Sequence, residues 1–437
     1  MTPSIRTCLL SAILLPSALF TAATGNASDW PNWRGPNLDG AANDENNLPS
    51  ALDQSTQKWE LSLPGPSAST PVVKNGQIYL SSIDTETSNL MALCVDEKTG
   101  KVLWKHVIGP ALSANKRNDY ATPSAATDGK HVVFLYGNGE IVGFTTEGKE
   151  LWRRNLQTEY GKFVIMWLYG SSPIMHGGRI FVQVLQNETK GPQVDGAASF
   201  LLALDPVTGK NIWRHARTTT APDEAGESYG TPIIYTSNGR EELTLFGGDM
   251  VTAHDPATGK ELWRCDGFNE KMQKHWRSIP GSVLVDGNVV SITARGGQVF
   301  AVKPGGSGDV TKTHVVWNTT ELSSDVCMPL FYQGKMYVLN GDKKTIRCAD
   351  PKTGKVLWQG DIPSKAIIRT SPSGGDGRIY IMNENGTAYV LATDKFEVLG
   401  TYELGGDATY LARSTLVLAN GQVLVRTFNR LIAFAKK

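Results

Sequence analysis

The chain has 437 residues, of which 40% are hydrophobic and 19% are charged, and its 43 basic and 42 acidic residues leave a formal net charge of +1. This neutral balance excludes a general electrostatic hold on nucleic acid or on an anionic membrane surface. Beyond the N-terminal segment, no stretch is apolar for long enough to span a bilayer.

The first 27 residues have the pattern of a secretory signal peptide. Arg6 supplies a positive charge, Cys8 to Phe20 is apolar, and small residues surround a cleavage position after Ala27. Cys8 stands at the start of the apolar stretch, before its core, instead of marking the cleavage position, so the pattern does not indicate a lipoprotein. We therefore expect an exported protein, periplasmic or extracellular.

Residues 28–55 form an irregular leader that contains the sequence WPNWRGP. Its two tryptophans and its arginine, Trp30, Trp33 and Arg34, precede any regular pattern. We expect this leader to pack across the following domain as a strap; the alternative is a flexible docking peptide.

From residue 56 onward one phrase recurs, Ala-x-Asp-x-x-Thr-Gly-Lys-x-x-Trp or a shortened form of it. Its tryptophans are Trp59, Trp104, Trp152, Trp213, Trp263, Trp317 and Trp358. An eighth copy reaches Leu399 without a tryptophan. A period of roughly 40 to 50 residues made of short strands is typical of radial or solenoid repeats. The repeated tryptophans are predicted to pack between neighbouring repeats, where a large aromatic ring buries much area.

Each repeat predicts four antiparallel strands. A Thr-Pro or Ser-Pro pair opens it, as at Thr70-Pro71, and an alternating run broken by Asn-Gly or Asp-Gly then indicates a hairpin. A third strand ends at the D-P-x-T-G-K turn, in which proline presets φ and glycine takes the left-handed position. A fourth strand ends near the tryptophan. Four such strands are one blade of a propeller.

The two ends of the domain predict how the ring closes. The copy at Trp59 has only a fourth strand, whereas residues 414–436 have three strands and lack a fourth. The N-terminal strand is therefore expected to complete the last blade and to remove the open edges of a linear array. We predict an all-β, eight-bladed propeller over residues 56–437, a monomer, with seven blades if one degraded repeat does not form.

These repeats resemble the tryptophan-docking repeats of the pyrroloquinoline quinone (PQQ)-like propellers. That superfamily includes quinoprotein alcohol dehydrogenases and BamB-type scaffolds of outer-membrane assembly, and the leader resembles that of exported planctomycete-type members. The resemblance implies the fold, since the docking tryptophan is shared by enzymes and scaffolds. The BamB-type scaffold is lipid-anchored, and this chain departs from it there.

The four cysteines after the signal segment are Cys94, Cys265, Cys327 and Cys348. Their even number permits disulfides in an oxidising compartment, but their spacing does not require them, and small buried thiols are the simpler interpretation. No spacing of cysteine or histidine indicates a metal site.

Candidate binding residues emerge once the repeat is subtracted. The first strand of each propeller blade lines the central channel, so residues just before these strands form a ring around one channel mouth. The aromatic and charged members of this ring are Tyr120, Trp167, Tyr169, Tyr229, His275, Trp276, Arg277, Asp325, Arg369 and Arg413. Aromatic faces with a few orienting polar groups suit a small-molecule site, and arginine forks suit carboxylates or phosphates. The alternative is that these side chains plug the channel or pair with Asp119 and Asp325.

No catalytic motif stands out, since neither a nucleophile elbow nor a dinucleotide fingerprint is present. His275 could serve as a base, but a hydrogen-bonded loop histidine is the more common outcome. We therefore expect a binding or scaffold module that presents its loop face to a small ligand, peptide, glycan or protein. The alternative is a PQQ-dependent dehydrogenase of an alcohol or sugar, which the resemblance permits.

That alternative would need arginines around a quinone, a stacked tryptophan, a bound calcium and an aspartate base. Arg277, Arg369, Arg413, Trp276 or Trp167, and Asp325 are of the right types. Quinoprotein alcohol dehydrogenases typically carry a vicinal cysteine pair at the cofactor, and this chain has no Cys-Cys. A recognisable Glu/Asn/Asp calcium set is also missing.

Overall fold

Eight four-stranded antiparallel sheets follow one another around a ring in the computed structural model. The structure describes residues 28–111, 118–293, 295, 297–405 and 411–436. The eight-bladed propeller predicted from the repeat is confirmed. We number the blades 1 to 8 in chain order, and the signal-like segment 1–27 lies outside the described residues.

In blades 1 to 4 the strands run outward from the channel in chain order. They are Val72–Lys74, Gln77–Asp84, Asn89–Asp96 and Val102–Pro110 in blade 1; Ala126–Thr127, His131–Leu135, Glu140–Thr145 and Glu150–Asn155 in blade 2; Ile174–His176, Arg179–Val184, Phe200–Leu204 and Asn211–Ala216 in blade 3; and Ile233–Ser237, Arg240–Gly247, Met250–His254 and Glu261–Cys265 in blade 4. The short strand Gly308–Asp309 pairs in parallel with the last strand of blade 4.

Blades 5 to 7 repeat this order and blade 8 joins the two ends of the chain. Their strands are Ser282–Val285, Asn288–Ile292, Val299–Val302 and Val315–Thr319 in blade 5; Leu330–Tyr332, Lys335–Asn340, Thr345–Ala349 and Val356–Asp361 in blade 6; Ser373–Gly375, Arg378–Met382, Thr387–Ala392 and Val398–Glu403 in blade 7; and Val417–Ala419, Gln422–Arg426, Arg430–Ala435 and Gln57–Ser62 in blade 8. The N-terminal strand thus completes the last blade, with Trp59 opposite Ala433. The described helices are one α-helix, Leu156–Tyr160, and one 3-10 helix, Asp223–Gly226.

Five docking tryptophans join their blade to the next one through the indole N–H. Trp104 Nε1 donates to the carbonyl of Thr146 at 2.9 Å and Trp152 Nε1 to that of Pro206 at 2.8 Å, both in the turn before the fourth strand of the next blade. Trp59, Trp213 and Trp317 make the same bond to the following blade. The predicted packing between repeats therefore includes a hydrogen bond from each of these indole rings to the next blade.

The turn glycines fit under these rings. A Cβ on Gly209 would come within 2.4 Å of the Trp152 ring, and the φ of Gly209 is +68°. Glycine is therefore required at this position of the turn for two reasons: the backbone is left-handed, and the tryptophan of the preceding blade occupies the space that a side chain would need.

Two docking tryptophans depart from this pattern. Trp263 is fully buried and donates to Glu242 Oε2 of its own blade at 2.8 Å, and blade 5 has PGGSGD where blades 3, 4 and 6 have the D-P-x-T-G-K turn. Trp358 packs beside Phe396 at a ring separation of 6.5 Å, and its Nε1 is buried without a hydrogen-bond partner.

A belt of hydrogen bonds joins the innermost residues of the blades around the channel. In six of its links a backbone N–H donates to the hydroxyl of the equivalent residue in the next blade: Thr70 to Ser124, Ser124 to Ser172, Ser172 to Thr231, Met328 to Ser371, Ser371 to Thr415, and Thr415 to Thr70. In a seventh link Gly281 N–H faces Met328 Sδ at 2.8 Å. The Thr-Pro and Ser-Pro pairs of the sequence therefore supply four of these hydroxyls, whereas Ser124 follows its proline and Thr415 precedes a leucine.

The leader crosses the face opposite the loops and enters the channel. Trp30 is fully buried and exchanges two backbone hydrogen bonds of 2.8 Å with Val73 of blade 1. Ala41–Ala42 pairs in parallel with Ser373–Gly375 of blade 7. Arg34, buried between them, donates to the carbonyls of Pro372 at 2.9 Å and Pro329 at 3.0 Å. In this structure the leader is packed as a strap.

Candidate functional site

A cavity of about 370 Å³ lies at the channel mouth on the loop face. Its wall is built from the loops that precede the first strands and from belt residues below them. The residues that line it are Trp33, Ala68, Asn118, Thr122, Ser124, Trp167, Gly170, Ser172, Tyr229, Thr231, Arg277, Ile279, Asp325, Val326, Ile367, Arg369, Ser371, Glu384, Arg413 and Thr415. Its size is that of a small-molecule site.

Six of the ten ring residues singled out in the sequence line this cavity. They are Trp167, Tyr229, Arg277, Asp325, Arg369 and Arg413. They come from blades 3 to 8, because each blade contributes the residues just before its first strand.

The other four ring residues lie elsewhere. Tyr169 is buried and its hydroxyl donates to the carbonyl of Gln183 at 2.6 Å, so it belongs to the core between blades 2 and 3. Tyr120 packs against the core between blades 1 and 2. His275 is exposed at the rim, with Nδ1 3.5 Å from Glu224 Oε2, and Trp276 is half-buried away from the lining.

Each of the three arginines of the wall faces a carboxylate. Arg369 makes a two-pronged pair with Asp342 at 2.7 and 2.9 Å, and Arg413 Nε donates to Glu384 Oε1 at 2.8 Å. Arg277 Nη2 lies 3.3 Å from Asp325 Oδ2, as the alternative of internal pairing expected. These pairs fix the guanidinium groups in place around the mouth.

Arg277 differs from the other two because part of its guanidinium has no hydrogen-bond partner. Its side chain is only 3% exposed, and its Nε lies 3.4 Å from Glu224 Oε1, outside hydrogen-bond geometry. Nε and Nη1 are buried without a hydrogen-bond partner. A buried donor without an acceptor costs about 1 to 3 kcal/mol, which an acceptor from a ligand would recover.

Two buried glutamates hold the aromatic side of the cavity. Trp167 Nε1 donates to Glu224 Oε1 at 3.0 Å, while Glu227 accepts from Met166 N–H at 2.9 Å and from the Tyr229 hydroxyl at 3.0 Å. Burial raises the pKa of Glu227 to about 7. Sequence analysis missed both glutamates, because they precede the ring positions and belong to the long loop before blade 4.

Further residues of the site had weak or no signals in the sequence. Trp33 reaches the cavity from the leader, and Asn118 from the loop before blade 2. None of the residues of the blade 3 insertion, residues 186–199, lines the cavity. It is tied to the neighbouring loop through Lys190 Nζ, 3.4 Å from Asp223 Oδ1.

A family profile described as outer membrane protein assembly factor BamB, of the PQQ-like repeat type, matches three overlapping segments of the chain, residues 42–189, 91–264 and 247–436. The chain belongs to the PQQ-like β-propeller family. In this PQQ-like propeller, the matched segments extend over all eight blades.

Curated relatives of the PQQ-like propeller include two dehydrogenases. A quinohemoprotein alcohol dehydrogenase of Pseudomonas putida is 26% identical over 310 residues, which are 66% of this chain and 42% of the relative. A polyvinylalcohol dehydrogenase of a Pseudomonas species is 23% identical over 240 residues, 47% of this chain and 35% of the relative. The chain thus matches less than half the length of either relative.

Solved structures show the same fold. BamB from Moraxella catarrhalis aligns with a TM-score of 0.60 at 14% identity, covering 87% of this chain and 99% of that one. A europium-containing methanol dehydrogenase aligns with a TM-score of 0.66 at 13% identity, covering 93% and 89%. Among the described helices of the PQQ-like propeller, none has the length and apolar character needed to cross a membrane.

The mouth cavity does not fit a calcium-bound quinone. Its two wall carboxylates, Asp325 and Glu384, are held by Arg277 and Arg413, and among the described residues no three carboxylate, histidine or cysteine ligand atoms converge in it. The four described cysteines are free, buried and outside the lining, so nothing replaces the vicinal pair expected at a quinone.

Proposed function

We propose that this PQQ-like propeller is an exported binding module, which holds a carboxylate-bearing small molecule or the acidic end of a peptide or glycan in the mouth cavity. The observation that carries the proposal is Arg277, a buried cavity residue whose Nη1 has no hydrogen-bond acceptor. A ligand carboxylate would supply an acceptor oxygen to Nη1 in a charge-assisted hydrogen bond.

The aromatic residues of the cavity support the same ligand class. Trp167 and Tyr229 are each held by a buried glutamate, so their rings are fixed before any ligand binds. Trp33 adds a third ring from the leader. Rigid aromatic faces beside a cationic fork favour a ligand that has an apolar or sugar-like body and an acidic group.

A scaffold function toward a protein partner is compatible with this proposal. The structure of BamB from Moraxella catarrhalis shares the fold. A partner would present an acidic side chain or a chain terminus to the cavity, and the surrounding loops of blades 3 to 5 would contact the rest of it.

The proposal is tested by thermal shift and calorimetric titration of the purified chain. The probes are mono- and dicarboxylates, acidic and neutral oligopeptides, acidic and neutral oligosaccharides, and PQQ with calcium. A ligand that binds only the folded state raises the melting temperature in proportion to the logarithm of its concentration over its Kd. We expect a shift from an acidic probe and none from its neutral counterpart.

The variant Arg277→Gln should abolish that shift. A matched control is Arg153→Gln, which removes an exposed arginine paired with Glu150 on the fourth strand of blade 2. Equal shifts in Arg277→Gln and in the parent would contradict the assignment of the cavity. A shift from PQQ with calcium, removed by Arg277→Gln, would instead favour the dehydrogenase.

A further inference from the structure

The interface between blades 3 and 4 departs from the repeat in its outer half. In the corresponding interface between blades 1 and 2, the ring of His106 stacks on Phe144 at 4.9 Å, and Ile108 continues the apolar contact. Blade 3 keeps the histidine, as His215, two residues after its docking tryptophan, but has Arg217 in place of the isoleucine.

Blade 4 also differs from the repeat, because two residues of its third strand are polar where those of blade 2 are apolar. Phe144 lies opposite Glu150 in blade 2, and His254 lies opposite Glu261 in blade 4, so His254 takes the place of Phe144. Thr252 takes that of Val142 by the same register. His254 is fully buried. Burying a polar side chain costs free energy unless it finds a partner, so polar residues at positions that are apolar in blade 2 must be stabilised by their surroundings.

The polar residues converge as a possible set of metal ligands. One ligand atom each from His215, His254 and Glu261 lies within 4.8 Å of the other two. The rings of His215 and His254 meet edge to face with centroids 4.7 Å apart. His215 and Glu261 are half-buried, so solvent or another ligand can reach a fourth position.

The hydrogen bonds of His254 prepare it as a ligand. Its Nδ1 lies 3.1 Å from the carbonyl oxygen of Gly259, which can only accept, so Nδ1 carries the proton. The lone pair of Nε2 then accepts from the Thr252 hydroxyl at 3.1 Å, and a metal ion would replace that bond. A histidine whose other nitrogen donates to a backbone carbonyl is the usual arrangement in metal sites.

Two arginines next to the cluster oppose a cation. Arg264 holds Glu261 at 2.6 and 2.9 Å, but its side chain is 42% exposed and can move into solvent. Arg217 is buried and donates to Thr252 Oγ1 at 3.2 Å and to the carbonyl of Met250 at 2.9 Å. We therefore expect moderate affinity, because a metal must displace Arg264 from Glu261 in the presence of a second positive charge.

We propose that His215, His254 and Glu261 bind one Zn²⁺ between blades 3 and 4, with water or an exogenous ligand in the fourth position. Two imidazoles and one carboxylate with an open position are a known ligand set for zinc. The bound ion would link the fourth strand of blade 3 to the third and fourth strands of blade 4. The site is separate from the mouth cavity, since none of the three residues lines it.

The test is calorimetric titration of the tag-free, chelator-treated chain with Zn²⁺, together with the visible spectrum of the Co²⁺-loaded chain. We expect one site per chain and the strong visible absorption of four-coordinate Co²⁺. His254→Phe recreates the residue found in blade 2 and should fold normally, while reducing zinc affinity by about tenfold or more. Glu261→Gln should also weaken binding.

A matched control is His176→Ala, because His176 forms an exposed histidine–carboxylate pair with Glu241 at 2.7 Å outside the proposed cluster. It should bind zinc like the parent. Undiminished binding in His254→Phe, or no saturable binding in the parent, would overturn the proposal.

Discussion

The backbone N–H of Thr415 donates to Thr70 Oγ1 at 3.1 Å, which joins two residues 345 positions apart in the chain. This bond is the link of the hydroxyl belt between blades 8 and 1. It lies at the channel, whereas the strand pair that contains Trp59 and Ala433 closes the same ring farther out. Ring closure therefore has two layers, one of side-chain hydroxyls and one of backbone strands.

Removing the hydroxyl of Thr70 should weaken the inner layer. Thr70→Val keeps the shape of the side chain but leaves the buried N–H of Thr415 without an acceptor, which should lower the free energy of unfolding by about 1 to 3 kcal/mol. Urea denaturation measures this change. Thr70→Ser keeps the hydroxyl and should be close to the parent, and equal losses in both variants would contradict the role of the hydrogen bond.

Trp213→Ala should cost roughly 3 to 5 kcal/mol of unfolding free energy, as a large-to-small change in a packed interface. Trp213 Nε1 donates to the carbonyl of Pro256 at 3.1 Å, and a Cβ on Gly259 would meet its ring at 2.5 Å. Denaturant unfolding measures the cost. The exposed neighbour Ile212 provides the control, since Ile212→Ala should change stability by about 0.5 kcal/mol or less. A loss below about 1 kcal/mol in Trp213→Ala would mean that the ring is not a docking element.

The fold could be predicted because most blades have the same residue types at the same structural positions. Pairs such as Trp152 with Gly209 recur from blade to blade, so a comparison of the repeats reveals the constraint that they share. The position of the channel mouth followed from the same register, which is why Arg277 and Arg369 could be located from the sequence.

The rest of the site could not be predicted, because its residues lie outside the repeat. Glu224 and Glu227 reach Trp167 and Tyr229 from a loop whose path no periodicity describes. Trp33 enters from a leader that has no equivalent elsewhere in the chain. Tyr169 had the spacing of a mouth residue, but the backbone directs it into the core, where its hydroxyl finds a carbonyl.

Arg34 should be more important for stability than an ordinary arginine. It is buried and donates to the carbonyls of Pro329 and Pro372 in two blades, and a Cβ on Gly40 would lie within 2 Å of its Nη2. Arg34→Met should lower the free energy of unfolding by about 3 kcal/mol, since charge-assisted hydrogen bonds contribute about 1.5 to 3 kcal/mol each.

Limited proteolysis should then show earlier cleavage in the leader of Arg34→Met than in the leader of the parent. Arg179→Met is a suitable control, because Arg179 donates only to the nearby carbonyl of Gly177 in a surface turn. If both variants were cleaved and unfolded like the parent, the leader would be held by Trp30 and the short strand Ala41–Ala42 without help from Arg34.

Glu227 should make the folded state less stable as the pH rises from about 4.5 to about 7. Burial raises its pKa from the ordinary value of 4.5 to about 7 in the folded state, so within this range the folded protein holds a proton that the unfolded chain has released. Stability then falls with increasing pH, and the effect is complete above pH 7. Glu97 and Asp249, whose pKa values burial also raises to about 7, add to the same trend.

Glu227→Gln cannot ionise at this position and should therefore reduce the fall in melting temperature between pH 5 and pH 8. Glu270→Gln, at an exposed position, should leave that fall unchanged. Melting curves across this range test the prediction, because an unchanged pH profile in Glu227→Gln would mean that the carboxyl of Glu227 is ionised throughout this range.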